Sequence, residues 1–195
     1  IYRGLVGSEM CIRDRDDTPL APISEFVRSP YDHCRQKFAQ VTNPPIDSLR
    51  EKYVMSLETC IGPELDIFEE TSEHANRIVV NSPILSHKKF NLLIKNKKFK
   101  VKRFLLEYER EDSLEESLIK LCEDVLASVK ENYSIIVLDE KQTSFNKPVI
   151  PALLATSAIH NYLIKNNERV SCNIVVNTSS ARDTHQIACL IGFGA

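Results

Sequence analysis

The chain has 195 residues, of which 43% are hydrophobic and 27% are charged, a composition that predicts a globular domain with a real core. Its 25 basic and 27 acidic residues give a formal net charge of −2, so the sequence predicts no nucleic-acid partner and no anionic membrane partner. No apolar run approaches the roughly 18 residues that a membrane-spanning helix needs.

The two ends of the sequence are treated separately from the rest. Residues 1–15 (IYRGLVGSEMCIRDR) have neither a clean periodicity nor the layout of a cleavable signal, and they look very like a translated sequencing adapter. We therefore expect a non-native leader there and exclude it from the fold. The chain closes on Gly192-Phe193-Gly194-Ala195 in the middle of an element, which predicts a domain truncated at its C-terminus.

Residues 16–85 are rich in proline, at positions 19, 22, 30, 44, 45, 63 and 83, which predicts short helices and extended connectors. Pro44 and Pro45 remove two backbone donors and fix two φ angles, so Thr42 to Ile46 should form a stiff extended segment. Asp47 or Ser48 should then cap a helix that carries Leu49, Tyr53 and Leu57 on one face.

Residues 86–195 alternate predicted strands and helices. Strands are predicted at 102–106, 134–138 and 172–176, the second being a continuous apolar run typical of a strand buried on both faces. Ser113 to Glu116 predicts a capping box, Pro148 or Pro151 opens a helix through Ile164, and the last helix spans 181–191 with Gly192 as its C-cap. The β-α-β-α-β-α order predicts an α/β fold with a parallel sheet and right-handed crossovers.

The helix after Ser113 should bury a stripe with a 3.6-residue period. Its members are Leu114, Leu118, Leu121, Cys122, Val125 and Val129. The six cysteines are scattered, with no C-x-x-C pair and no adjacent His or Asp cluster, so we predict reduced structural thiols and no metal site. Cys122, Cys172 and Cys189 lie in apolar runs and are expected to be buried.

Three patterns invite a chemical interpretation, and each has a simpler one that we favour. His185 and Cys189 are four apart on one helix, beside Asp183, but Cys189 is in the last turn, where a nucleophile is poorly activated. The basic run from Lys95 to Arg103 is followed at once by acidic residues, which predicts a charge-paired, solvated edge and not a nucleic-acid patch.

The third pattern is Asp139-Glu140-Lys141, which follows a buried strand at the position where parallel α/β folds place active residues. No glycine-rich phosphate loop accompanies it, because only Gly192 and Gly194 of the five glycines are close together. We therefore predict no cofactor bound by this segment.

Six motifs occur in the order found in one family. They are Asp17-Thr18-Pro19-Leu20-Ala21-Pro22, Gln40-Val41-Thr42-Asn43-Pro44-Pro45-Ile46-Asp47, Met55-Ser56-Leu57-Glu58-Thr59, Gly62-Pro63-Glu64, Asn81-Ser82-Pro83-Ile84-Leu85 and Ile150-Pro151-Ala152-Leu153-Leu154-Ala155. Through them, roughly from Asp16 to Ala195, the chain resembles the central region of the large subunit of glutamate synthase. The resemblance implies parallel β-α-β units related to a rudimentary flavin-binding (β/α) barrel.

The resemblance also implies a function. The whole enzyme would convert glutamine, 2-oxoglutarate and a reductant into two glutamates, using an N-terminal cysteine nucleophile, FMN and an iron–sulfur cluster that lie outside this chain. This segment would be non-catalytic, and its partners would be the amidotransferase and flavin-binding domains of the same polypeptide. The expected location is the cytoplasm, or the plastid stroma in a photosynthetic eukaryote.

We expect the stiff segment and its neighbours to help wall the ammonia tunnel or contact the adjacent domains. These residues are Thr42, Asn43, Pro44, Pro45, Ile46, Asp47, Arg50, Ser56 and Glu58, with Arg50 and Glu58 as interdomain ion-pair residues. Two alternatives stay open: an independent α/β binding domain without catalysis, and a stand-alone cysteine hydrolase that uses Cys189 or Cys60.

Overall fold

The computed structural model describes residues 29–34, 49, 55–66, 68–140 and 146–195. The chain divides into two compact units, residues 1–56 and residues 57–195, and each is described by itself. In the first unit, Pro30–His33 forms a single turn of 3-10 helix that buries Tyr31. The Ser29 N–H donates to the carboxylate of Asp32 at 3.0 Å, which satisfies one of the free donors at the start of the turn.

The second unit is built around a parallel sheet. Its strands β3 (Val101–Leu105), β4 (Ile135–Asp139) and β5 (Asn173–Asn177) lie in the order β3-β4-β5. Strands β1 (Thr59–Ile61) and β2 (Ile78–Val80) form a separate antiparallel pair.

Helices connect these strands. The α-helices are α1 (His87–Ile94), α2 (Leu114–Lys130), α3 (Ala152–Lys165) and α4 (Thr184–Gly192), and 3-10 turns occupy Ser72–Ala75 and Arg169–Ser171. None of the described helices is long and apolar enough to cross a bilayer.

Hydrophobic residues cover both faces of the parallel sheet. On one face, Ile136 and Leu138 of β4 pack into a large cluster with α2 and α3. On the other face, Ile135 and Val137 pack with Phe90 of α1 and with other apolar side chains. All five residues of β4 are buried, which confirms the predicted doubly covered strand.

The antiparallel pair is tied to β5 by backbone donors. The N–H of Gly62 donates to Oδ1 of Asn173 at 2.6 Å, and the N–H of Glu64 donates to the carbonyl of Val170 at 2.8 Å. Gly62 has φ of +147°, and a Cβ atom there would lie 3.1 Å from the carbonyl oxygen of Asn76. Only glycine fits this turn without strain, which gives a physical reason for the Gly62-Pro63-Glu64 motif.

From β3 onward the predicted order of strands and helices is confirmed, although the bounds of each strand are shifted by one residue. Pro151, and not Pro148, is the residue before α3. The last helix begins at Thr184 and not at residue 181, because the Asp183 carboxylate caps it by accepting the N–H of Gln186 at 2.8 Å. Gly192 is its last helical residue, and the left-handed glycine after the helix is Gly194, with φ of +112°.

Three finer predictions about burial and capping are wrong. Leu114 is 37% exposed, because it occupies the first turn of α2, beyond the reach of the core. Ser113 caps that helix by accepting the N–H of Glu115, but the reciprocal bond of a capping box is not formed by the described residues. Cys189 is only partly buried, because only one face of α4 is covered by the rest of the domain.

Two elements of the fold were not predicted, and two predicted features, a barrel-like sheet and a buried helix face, are not seen among the described residues. Helix α1 and the pairing of β1 with β2 have no counterpart in the expected elements. The described strands form an open three-stranded parallel sheet with β3 and β5 at its edges, and no closed barrel is formed by them. Of the predicted helix face, Leu49 and Leu57 are exposed, and Tyr53 lies outside the described residues.

The core packing on α3 gives a testable stability difference. Ile159 is completely buried between α3 and the sheet, whereas Ile164 on the same helix is about half exposed. We expect Ile159→Ala to lower the free energy of unfolding by roughly 2–5 kcal/mol, because it removes buried methyl groups and leaves a cavity. Ile164→Ala is the matched control and should cost less than about 1 kcal/mol. Urea unfolding followed by circular dichroism measures both, and equal losses would contradict the assigned core.

Candidate functional site at the carboxyl end of the parallel sheet

Polar side chains gather where the parallel strands end. Leu105, Asp139 and Asn177 are in register across β3, β4 and β5, so the residues around them meet at one edge of the sheet. In open α/β sheets this carboxyl edge is the usual place for ligand binding. It is therefore the first place to examine for function.

Asp139 is the most buried polar residue of this edge, with no exposed surface. Its Oδ2 accepts a hydrogen bond from Nε of Arg103 at 2.5 Å and forms an ion pair with Nη2 of the same guanidinium. The side-chain amide of Asn177 donates to the same oxygen at 3.0 Å. A buried carboxylate needs such donors, because desolvation of an unpaired charge is very unfavourable.

A second set of hydrogen bonds lies beside the first. The carboxylate of Glu140 accepts from the hydroxyls of Thr178 and Ser180, the latter at 3.1 Å. These two hydroxyls are themselves 2.7 Å apart, and the N–H of Glu140 donates to the carbonyl of Asn177 at 2.9 Å. The loops after β4 and β5 are therefore joined by side chains as well as by backbone.

An open cavity of about 320 Å³ lies next to this edge. It is bounded by β1, the segment that follows β2, β5 and α4, and Asn177 and Thr178 contribute to both the cavity and the polar edge. Its described lining contains no Asp, Glu, Lys or Arg side chain. The cavity suits a neutral or apolar group better than an ion, because no charged side chain there would offset the desolvation of one.

The sequence singled out Asp139 and Glu140 but missed their partners. Arg103 was read as part of the basic run, and the polar residues after β5 were not considered. A usable signal existed, because Asn177 to Ser180 directly follow a buried strand in the same way as Asp139 and Glu140 do. Lys141 lies outside the described residues.

Most residues predicted for a tunnel wall or interdomain contact lie outside the described residues: Thr42, Asn43, Pro44, Pro45, Ile46, Asp47 and Arg50. Ser56 and Glu58 are described, and both are exposed. Glu58 is not among the described residues that line the cavity.

The structure does bring His185 and Cys189 together on α4, with 3.7 Å between Nε2 and Sγ. The third member of a catalytic arrangement is not supplied by Asp183, whose carboxylate caps the helix instead. Cys189 is also at the C-terminal end of α4, where the helix dipole disfavours a thiolate. The contact is best explained as an i, i+4 neighbour pair on a partly exposed helix.

Two acidic residues that follow the basic run, Glu107 and Glu109, pair with Lys147, a lysine outside that run. The hydrogen bond with Glu109 is the main reason that the pKa of Lys147 is raised. The ammonium groups of Lys100 and Lys102 lie 5.9 and 5.4 Å from the centre of the Tyr133 ring. The edge of β3 is thus lined by lysines over an aromatic ring, a pattern that protects an edge strand from pairing with other chains.

The described cysteines are free thiols, at positions 34, 60, 122, 172 and 189. Burial raises the pKa of Cys122 to about 11, and it does the same for Cys172. Thiolates are the ligands of iron–sulfur clusters, so these two residues are poor candidates for such a site. No group of three or more His, Cys, Asp or Glu residues in the described part of the chain is arranged to hold a metal ion.

Comparison with known proteins gives a consistent result. The family model of the glutamate synthase central domain matches residues 9–195, which includes residues before Asp16. The chloroplastic ferredoxin-dependent glutamate synthase of Oryza sativa subsp. japonica is 40% identical over 186 residues, and that of Spinacia oleracea is 39% identical over 186. Ferredoxin-dependent glutamate synthase 2 of Synechocystis sp. is 38% identical over 186 residues. Each alignment covers 92% of this chain and 12% of the relative.

The buried ion pair gives a second prediction. Asp139→Ala should lower the free energy of unfolding by about 3 kcal/mol, because it leaves Arg103 without its carboxylate. This is the low end for a broken buried pair, since the Arg103 side chain is 32% exposed and water can solvate it in part. Asp124→Ala on the exposed side of α2 is the control, and we expect a change within about 0.5 kcal/mol. Chemical denaturation measures the free energy of unfolding of both variants. If Asp139→Ala leaves it unchanged, the ion pair does not stabilise the fold.

Thiol reactivity gives a third prediction. At pH 8 a thiol with a pKa of about 11 is only about 0.1% thiolate, the form that reacts with alkylating reagents. Cys122 and Cys172 should therefore be alkylated by iodoacetamide on the order of a hundredfold more slowly than the exposed Cys60, until the protein is unfolded. Peptide mass spectrometry over time measures each site. Rapid labelling of Cys122 or Cys172 in the folded protein would contradict their burial.

Proposed function

Because the chain belongs to the glutamate synthase central domain family, we propose that it serves that enzyme as a non-catalytic partition between its amidotransferase and flavin-binding domains. The whole enzyme would hydrolyse glutamine to glutamate and ammonia, condense the ammonia with 2-oxoglutarate, and reduce the imine to a second glutamate. The chain spans only 12% of the length of its relatives, and we place both reactions in other parts of the polypeptide.

The single observation that carries a structural role is the closure of the carboxyl edge of the sheet. Asp139 has no exposed surface, and its carboxylate is engaged by Arg103 and Asn177. A catalytic carboxylate must reach substrate within hydrogen-bond distance, whereas this one is enclosed by the protein. The position that carries catalysis in many α/β folds is here used to fasten three strands together.

We propose that the cofactors of the whole enzyme are bound outside this segment. The donor set that an iron–sulfur cluster needs is several closely placed thiolates, and Cys122 and Cys172 are buried thiols with raised pKa values. FMN and the cluster are therefore proposed to be bound by the flavin domain that follows the central region. The names of the relatives favour ferredoxin as the electron donor of the whole enzyme.

The proposed role also includes the path that ammonia takes between the two active sites. Ammonia must remain unprotonated and away from bulk water, so its path needs stiff walls with few charges. The stretch Thr42 to Ile46 offers neutral hydroxyl and amide groups on a backbone stiffened by two prolines. We place it at the wall of the tunnel, with Arg50, Ser56 and Glu58 at contacts with neighbouring domains.

The three parallel strands are proposed to be an arc of a rudimentary (β/α) barrel, in agreement with their parallel pairing and intervening helices. The location proposed for the whole enzyme is the cytoplasm, or the plastid stroma in a photosynthetic eukaryote, since the rice and spinach relatives are named as chloroplastic.

The alternative is an α/β binding domain that takes a small molecule without catalysis. The observation in its favour is the 320 Å³ cavity beside the carboxyl end of β5, where such folds bind ligands. It would bind a neutral ligand, because the described lining carries no acidic or basic chain apart from His87. Saturable binding of a neutral metabolite by the chain, without change in ammonia transfer, would favour this alternative.

The tunnel role leads to a fourth prediction, made in the intact enzyme. Thr42→Leu should leave glutaminase activity and ammonia-dependent glutamate formation within about twofold, because neither active site is touched. The link between them should fail, since a bulkier side chain narrows the path and ammonia escapes to solvent. The measurement is free ammonia released per glutamate formed, with glutamine as the only nitrogen source.

Two further variants sharpen the test. Thr184→Leu makes the same chemical change at an exposed position on the first residue of α4, and its ratio should stay at the parent value. Pro44→Gly together with Pro45→Gly should raise the ratio, because glycine restores backbone freedom to the wall. If Thr42→Leu reduces both half-reactions together at an unchanged ratio, the segment is a scaffold and lies away from the path.

A further inference from the structure

The C-terminal end of α4 is held by a single arginine from a different element. Arg169, in the 3-10 turn before β5, donates Nη2 to the carbonyl of Gly194 at 2.9 Å and Nη1 to the carbonyl of Cys172 at 2.8 Å. Its Nε donates to Nδ1 of His160 on α3 at 2.9 Å. One guanidinium therefore connects α3, the start of β5 and the end of α4.

The approach of α4 to His160 is unusually close and requires glycine. Gly194 has φ of +112°, and a Cβ atom at that position would lie 2.3 Å from Nδ1 of His160. No side chain larger than hydrogen fits there unless the ring moves. The ring of His160 and the backbone of Gly194 thus pack directly against each other around the guanidinium.

The hydrogen bond fixes the protonation state of His160. A guanidinium always carries its protons, so Nδ1 of His160 must be the acceptor, and the proton of the neutral ring is on Nε2. Partial burial and the positive charge of Arg169 both lower the pKa of His160 from its ordinary value near 6.5. The folded protein therefore favours the neutral ring.

We propose that His160 and Arg169 form a proton-operated latch that holds the end of α4 on α3 and β5 and opens when Nδ1 is protonated. Protonation removes the acceptor of the Arg169 Nε–H and places two cations side by side. The guanidinium then turns away, and the carbonyl of Gly194 loses its donor. Because Leu190, Ile191 and Ala195 line the 320 Å³ cavity, loosening this end of α4 also loosens one wall of the cavity.

Arg169 is the charged group that acts directly on His160, and it faces the ring from the 3-10 turn. The neighbouring Glu168 carboxylate accepts the hydroxyl of Ser171 at 2.9 Å and keeps its negative charge. Cys172, whose carbonyl also accepts from Arg169, has a pKa of about 11, so its thiol stays neutral. From the end of α4 the facing group is the uncharged backbone of Gly194.

The direction of the pH effect follows from the lowered pKa. A base whose pKa is lower in the folded protein than in the unfolded chain stabilises the folded state only while it is neutral. The contribution of the latch is therefore full above about pH 6.5 and is lost as the pH falls through the lowered pKa of His160. The latch is closed at neutral pH and opens only at a pH below about 6.5.

The test is hydrogen–deuterium exchange of the full protein at pH 7.5 and pH 5.5, with rates corrected for intrinsic exchange. Peptides that cover residues 184–195 include the amides of Gly194 and Ala195, which bond to the carbonyls of Ile191 and Leu190. Their corrected exchange should rise about tenfold at the lower pH, while peptides from α2 stay unchanged. An absent rise, or an equal rise in α2, would overturn the latch.

Two variants and one measurement on the parent protein separate this mechanism from general acid loosening. His160→Asn keeps an acceptor near the position of Nδ1 without a titrating ring, so the rise should disappear. His185→Asn removes a histidine from α4 itself and should keep the rise. In the parent, the NMR titration midpoint of His160 should lie below 6.5 and coincide with the midpoint of the exchange change. A rise that survives His160→Asn, disappears in His185→Asn, or has a different midpoint excludes the latch.

Discussion

The burial of β4 on both faces is the constraint from which the rest of the second unit follows. The first four residues of this central strand, Ile135 to Leu138, are apolar and alternate between its two faces, so each face needs a covering layer. Helices α2 and α3 cover one face, and α1 with the β1–β2 pair covers the other. Asp139 ends this strand and is carried into the interior with it. Its charge must be compensated where it lies, and the two flanking strands supply Arg103 and Asn177 for this.

That compensation explains the chemistry of the carboxyl edge. Arg103 comes from β3 and Asn177 from β5. The ion pair with Arg103 and the hydrogen bond from the Asn177 side-chain amide therefore join the three strands through one carboxylate oxygen of Asp139. Glu140 repeats the arrangement one residue later with Thr178 and Ser180. Polar groups that bond to one another across strands fix the register of those strands. Because their hydrogen-bonding atoms are occupied by one another, they are poorly placed to bind a substrate, which agrees with a structural part of a larger enzyme.

Much of the second unit could be predicted from the sequence because its signals are local. The continuous apolar run of β4, the 3.6-residue stripe of α2 and the proline before α3 each report the structure of their own segment. The β1–β2 pair and α1 were missed, since three-residue strands have almost no periodicity and α1 has lysines and an asparagine among its apolar residues.

The contacts that define the candidate site could not be predicted from the sequence, because they join residues far apart along the chain. Arg103 and Asp139 are 36 positions apart, and Arg169 and Gly194 are 25 apart. In each case the sequence shows the charged residue but not its partner. Helix α4 gives another example of a role that the sequence alone did not predict. Asp183 was considered as a neighbour of His185 and Cys189 in a catalytic group, but its carboxylate caps the helix.

The cavity beside β5 connects these observations. Its walls are the β1–β2 pair, which is held by the Gly62 and Asn173 bond, and α4, which is held by Arg169. The Gly62 N–H is bonded to the first residue of β5, and the Gly194 carbonyl is bonded to Arg169 in the 3-10 turn before that strand, whereas the sheet itself is fixed by buried apolar packing and by Asp139. Disrupting such a bond therefore affects the position of a wall and leaves the sheet intact. We infer that the sheet is the more firmly fixed part of this domain and that the cavity beside it is the part more open to adjustment.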